Sequence, residues 1–100
     1  MAFDVLLIQS GEKYLNSAIE YYNKINRGLA RKFYDEFLLV DSQLKTNPFF
    51  EIRYKNIRLL KLKSFPYLVH FFINDPLNQI VIISIVFGKQ ERTNFQSRID

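Results

Sequence analysis

The spacing of apolar residues changes once along this chain, at Asn47-Pro48, and any fold must accommodate that change. Before it, Tyr14, Ala18, Tyr21, Tyr22 and Ile25 recur three and four residues apart, with Leu15 and Ile19 beside them. Leu29, Phe33, Phe37, Val40 and Leu44 repeat the spacing, and each set makes one apolar face of a helix. After it, the β-branched, aromatic and apolar residues gather into short runs at 50–53, 57–63, 66–73 and 79–87, as strands do. Proline supplies no amide donor and disfavours helix at the residue before it, so Asn47-Pro48 is where helices stop.

The remaining elements follow from local signals. Val5, Leu6, Leu7 and Ile8 in a row suit a short buried strand at 3–8. Ser10 offers an N-cap for a helix over 12–26, with Glu12 in its first turn, where a carboxylate favours the positive end of the dipole. Gly28 suits the left-handed residue that closes this helix before a second one over 29–45. So short a connection folds the pair into an antiparallel hairpin. Turn signals at 54–56, 64–66 and 74–78 separate the strands. The order predicts an α+β domain: an N-terminal strand, a two-helix hairpin, then an antiparallel meander packed on the helices. Runs 66–73 and 79–87 are the most apolar and belong at the centre of the sheet.

At 100 residues the chain is one domain, and its ten Phe and six Tyr predict an aromatic core. The net charge of +4 belongs wholly to the second half: residues 1–50 hold six basic and six acidic side chains, residues 51–100 eight and four. Within 53–63, Arg53, Lys55, Arg58, Lys61 and Lys63 follow one another without an acidic residue. Such a run fits an ordinary solvated face, and equally an anionic partner, whether nucleic acid or acidic protein. By parity, Arg58, Leu60 and Leu62 alternate with Ile57, Leu59, Lys61 and Lys63. If the leucines face the helices, Lys61 and Lys63 face away.

Several chemistries are not written in the sequence. Without cysteine there are neither disulfides nor thiolate metal sites, and His70 has no cluster of carboxylates with which to share a metal. Three glycines cannot build a phosphate-binding loop. A triad of His70, Ser84 and Asp75 would need the serine at a sharp turn, yet Ser84 lies in mid-strand. His70, between Val69 and Phe71, reads as a half-buried residue satisfied by a backbone or hydroxyl partner, and Tyr67, at the Phe-Pro-Tyr corner, as a packing ring. The apolar run at 80–87 is far shorter than the roughly 20 residues of a membrane helix, and MAFDVLLIQS lacks the features of a signal peptide. A cytoplasmic, soluble protein without cofactor or metal is expected.

Two stretches carry a family likeness. AIEYYNKINRGLARKFYDEF followed by NPFFEIRYKNIRLLKLKSFPYLVHFFI resembles the ParE arrangement of a Tyr-Tyr helix, a Gly-Leu-Ala helix start, Asn-Pro, an arginine-bearing strand and Phe-Pro-Tyr. VFGKQERTNF is similar to the Gly-Lys-Arg-Glu-Arg run that closes the RelE branch. The chain thus resembles, over residues 14–95, the RelE/ParE superfamily of type II toxin–antitoxin toxins, of the plasmid-stabilisation type.

That resemblance implies a growth-inhibiting toxin with a RelE/ParE-like fold, a cognate antitoxin, and as target either DNA gyrase or ribosome-bound mRNA. The nuclease branch needs an arginine just after the turn into the central strand, an arginine third in the closing run, and a tyrosine shortly after it. Tyr67, Gln90, and Phe95 or Gln96 hold those places here. Glutamine brings no fixed cation to a phosphoryl group and phenylalanine relays no proton, so inhibition by binding leads. The alternatives are a RelE-like endoribonuclease with an altered catalytic set, for which Arg58, Lys61, Lys63 and Arg92 are the candidates, and a non-toxic relic that only binds antitoxin. Target-binding candidates are Arg58, Lys61, Lys63, Tyr67, Lys89 and Arg92. An antitoxin wrapping the hairpin would meet Tyr14, Tyr21, Tyr22, Phe33 and Phe37. Apolar surface left uncovered there would also favour a homodimer of the isolated chain.

Overall fold

The computed structural model describes residues 3–88, so Lys89, Arg92, Gln90 and Phe95, with the polar tail expected from about 89, lie outside the described residues. Strand β1 (Asp4–Leu7) leads into helices α1 (Gln9–Ile25) and α2 (Arg27–Thr46). The strands β2 (Ile52–Tyr54), β3 (Ile57–Lys61), β4 (Tyr67–Asn74) and β5 (Gln79–Phe87) follow. They form one sheet in the order β1-β5-β4-β3-β2, in which the last four are the antiparallel meander and β1 runs parallel to β5. Strands β4 and β5 are interior, as their apolar content requires.

Both helices pack on one face of this sheet. Leu15 and Ala18 of α1 and Phe33, Phe37, Val40 and Leu44 of α2 meet Leu60, Val69, Phe71, Ile80, Ile82 and Ile85. An aromatic group closes one end of the layer: the Phe33 ring lies 5.5 Å from Tyr22, 5.1 Å from Phe65 and 5.2 Å from Tyr67 between centroids. Edge-to-face contacts of this kind add to the area the rings bury.

Four local expectations need correction. First, α1 begins at Gln9, and its N-cap is Ile8 with no side-chain cap. Ser10 is already inside the helix, and its hydroxyl donates instead to the Ile83 carbonyl at 3.1 Å. Second, Gly28 does not close α1. The break is Asn26, whose extended backbone (φ −167°, ψ 126°) ends one helix and whose side chain caps the next, accepting from the Gly28 amide at 2.6 Å. Asparagine at an N-cap needs no left-handed residue. Third, β1 is a half-exposed edge strand and not a buried one. Fourth, β3 ends at Lys61 and β4 begins at Tyr67, leaving Leu62 to Pro66 as a loop.

The glycine on which the packing depends is Gly11. Strand β5 carries a bulge, because Ser84 faces His70 and Ile82 faces Phe71, leaving Ile83 as an extra residue. The first turn of α1 lies directly on that bulge. A Cβ at Gly11 would stand 2.9 Å from the Ile82 carbonyl oxygen and 2.8 Å from Leu7 Cδ1. Alanine there gains up to about 1 kcal/mol in helix propensity but incurs about 1–3 kcal/mol of overpacking. The Ile82 carbonyl belongs to a paired strand and cannot swing aside, so the clash wins. Gly11→Ala is expected to lower the urea midpoint, and a raised midpoint would mean that α1 can slide off β5.

Candidate functional site

The basic run does not form one cluster. Arg58 pairs in register with Phe71 of the core and therefore lies on the helix side of the sheet. Its guanidinium donates to the Phe50 carbonyl at 2.5 Å and sits 5.8 Å from the centroid of the Phe49 ring. This clamps the segment between α2 and β2 and occupies the charge. Lys61 pairs with Leu68 on the opposite face and is exposed. Lys63 is also exposed, in the loop past the end of β3, where strand parity no longer sets its direction. That loop is held from the other side, since the Ser64 amide donates to Glu36 Oε1 of α2 at 3.0 Å. Among the described residues neither lysine is ion-paired, whereas Arg31, Lys45 and Arg53 make exposed pairs with Asp35, Asp41 and Glu51. Among the described residues of the basic run, Lys55, Lys61 and Lys63 are thus exposed without an ion pair, while Arg58 is engaged with Phe50 and Phe49.

Tyr67 begins β4 and turns its ring toward the helices, against Tyr22, Phe33 and Phe87. Burial, then the neighbouring Tyr22 hydroxyl to which it donates, pushes its pKa up to about 12. Burial also raises Tyr22. A phenol that holds its proton so firmly is no general base near neutrality. The folded state binds this proton more tightly than the unfolded chain, whose tyrosine titrates at 10.0. The associated stability is therefore present below pH 10.0 and lost as pH rises toward about 12. Denaturant midpoints measured across that window should fall more steeply for the native chain than for Tyr67→Phe. Equal slopes would dissociate Tyr67 from the alkaline transition.

His70 is buried, 1% exposed, on the face of β4 away from the helices, and its Nδ1 lies 3.0 Å from the Tyr54 hydroxyl. The sequence predicts a half-buried histidine with a backbone or hydroxyl partner; a hydroxyl lies there, but the burial is complete because the Tyr54 ring and the neighbouring strands cover it. Ser84 is its cross-strand partner, but Asp75 lies beyond the far end of β4, so the three do not assemble a triad. Among the described residues no group of three or more His, Asp or Glu is placed to hold a metal.

The helical hairpin presents two unlike sides. On α1, Gly11, Leu15 and Ala18 are buried and Tyr22 is half-buried, while Tyr14, Tyr21 and Ile25 point outward, the two tyrosines 45% and 57% exposed. On α2, Phe33 and Phe37 are core residues, which takes them off any surface that a partner meets in this conformation. Their neighbours Tyr34, Leu38 and Leu39 are exposed instead, Leu39 to 68%. Reading the sequence for one apolar stripe put Ile25 on the buried face, where the structure has it exposed, and passed over Leu38 and Leu39. The signal was there in Phe37-Leu38-Leu39-Val40, because four consecutive apolar residues on a helix cannot all face inward.

Tyr14, Ser17 and Tyr21 also form one wall of a groove of about 260 Å³, whose other wall is Tyr67 with Ile85, Val86 and Phe87. No helix among the described residues is long and apolar enough to cross a membrane.

No family model and no curated protein matches the sequence. A solved structure does match: a chain of the "Chromosomal ParDE TA system from P. aeruginosa" superposes with a TM-score of 0.70 at 17% identity, covering 84% of this chain and 94% of that chain. Nearly the whole of that chain is thus reproduced here, strand, helical hairpin and meander alike, and this chain is ParE-like in fold.

Proposed function

We propose that this chain is the toxin of a type II toxin–antitoxin system, of the ParE type, which arrests growth by binding a protein target such as DNA gyrase and is held inactive by a cognate antitoxin. The observation that carries this reading is the likeness in fold to a chain of a ParDE system, over almost all of both chains. Two features of the site support binding over RNA cleavage. Tyr67 occupies the place where the nuclease branch carries an arginine, and it is a packed, firmly protonated phenol. Arg58 is committed to Phe50 and Phe49, so among the described target-binding candidates Lys61 and Lys63 are the exposed cations, with Lys89 and Arg92 outside the described residues. The antitoxin would meet the outward apolar side of the hairpin, Tyr14, Tyr21 and Ile25 on α1 and Leu38 and Leu39 on α2. The protein acts, on this reading, in the cytoplasm.

Controlled expression of the chain alone in a bacterial host tests the proposal when growth, transcript integrity and DNA supercoiling are followed in one culture. Arrest with intact transcripts and disturbed DNA topology is the expected result. Arrest with cleaved transcripts would instead identify an endoribonuclease that works without the usual arginine. Vigorous growth with abundant soluble protein would leave only a relic that binds antitoxin.

A further inference from the structure

The groove beside α1 has an unusual wall. Ile85, Val86 and Phe87 are consecutive in β5, and consecutive strand residues point to opposite faces of a sheet. A single groove lined by all three must therefore open on the edge of the strand, where its backbone is. The register explains why the edge is open: β1 pairs with β5 from Gln79 to Ile82 and then stops. Beyond that point the Ile82 carbonyl takes the Ile8 amide and the Ile83 carbonyl takes the Ser10 hydroxyl as the chain turns into α1. Among the described residues no strand lies against Ser84 to Phe87 on this side.

Open edges are normally blunted by charge, proline or brevity. The other two edges of this sheet are: β2 has three residues with Arg53 among them and Glu51 and Lys55 flanking, and β1 has four and begins with Asp4. The free stretch of β5 reads Ser-Ile-Val-Phe, and neither it nor any residue lining the groove carries a charge or a proline. Among the described residues, this is the one of the three edges left unprotected.

We infer that in the absence of a partner two copies of this chain associate through this edge, β5 against β5. An antiparallel pair of identical strands is self-complementary, so each copy supplies what the other lacks, as a closed two-fold contact requires. The two-fold axis runs perpendicular to the sheet, and it keeps both helical layers on the same side of a continuous ten-stranded sheet. Helix α1 of each copy then lies along the junction, and Tyr14, Ser17 and Tyr21 meet their counterparts across it. The contact closes after one partner, because each copy has one such edge.

The test uses the full chain, purified and followed by sedimentation from about 1 to 100 μM, the range over which modest interfaces register. A dimer of twice 12.0 kDa is expected. Ser17→Arg, at an exposed position that lines the groove, should raise the dimer dissociation constant at least about tenfold with an unchanged circular dichroism spectrum. Leu39→Glu, on the other helix and outside the groove, should leave it unchanged. A native chain that stays monomeric across the range overturns the inference. So does a dimer that Ser17→Arg leaves intact, or one that Leu39→Glu breaks and Ser17→Arg does not. Loss of backbone hydrogen exchange at Ser84 to Phe87 on dimerisation is a second expected result, and unprotected amides there would exclude strand pairing even in a dimer.

Discussion

A Phe33→Ala variant is expected to lose about 3–5 kcal/mol of unfolding free energy, the range found when a large buried aromatic is truncated. Small domains hold about 5–15 kcal/mol in all, so the variant approaches global unfolding. Phe33 is 0% exposed, and its ring touches Tyr22 from α1 and Phe65 and Tyr67 from the sheet side, so one side chain joins all three parts of the layer. Phe65 and Tyr67 are poorly placed to fill the space, because they sit on either side of Pro66 at the end of a loop pinned by the Leu62 amide on the Tyr67 carbonyl and the Gly88 amide on the Pro66 carbonyl. The Tyr67 hydroxyl depends on the same cluster, so Phe33→Ala should also bring its pKa down from about 12 toward the ordinary 10.0. Urea unfolding measures the first effect and ultraviolet titration of the phenols the second. A loss under about 1.5 kcal/mol would place Phe33 among sites that repack easily.

That Phe33 belongs to the core is visible in the sequence, since Leu29, Phe33, Phe37, Val40 and Leu44 keep helical spacing, and spacing reports which side of a helix is buried. Spacing does not report what covers the other side. On α1, residues at three and four intervals include both Leu15, Ala18 and Tyr22, which face the sheet, and Tyr14, Tyr21 and Ile25, which do not. The interval is the same for both sets, and only the position of β5 separates them. The long-range features were out of reach for a related reason. That β1 joins β5 in parallel and that Gly11 rests on β5 depend on segments about seventy residues apart, and the bulge at Ile83 depends on the register that β5 takes against β4. Nothing local in Gly11 distinguishes it from Gly28, whose amide the Asn26 side chain caps.

The basic surface shows a similar division. Parity separated Arg58 from Lys61 and put Lys61 on the far face, since pleating is a local property. It could not foresee that Arg58 would close on the Phe50 carbonyl, because the segment from Asn47 to Glu51 has no period of its own. Tyr67 was read as a packing ring, and it is one. That its hydroxyl meets Tyr22 required the hairpin to be placed on the sheet.

The largest functional effect should come from reversing charge at Lys61 and Lys63. If the toxin reading holds, a Lys61→Glu/Lys63→Glu variant should relieve growth arrest, with the affinity for the target reduced by at least about a hundredfold, because like charges set against an anionic patch cost several kcal/mol. Both side chains are exposed and neither is ion-paired among the described residues, so the fold should tolerate the change to within about ±0.5 kcal/mol. Arg58→Ala makes the opposite comparison. It removes the clamp on Phe50, so it should lower stability while touching the target surface little. Measuring unfolding midpoint and growth on both variants separates a binding cation from a structural one. Undiminished arrest by a folded Lys61→Glu/Lys63→Glu protein would remove this face from the interaction and leave the outward side of the hairpin, with Tyr14, Tyr21 and Leu39, as the surface through which the chain acts.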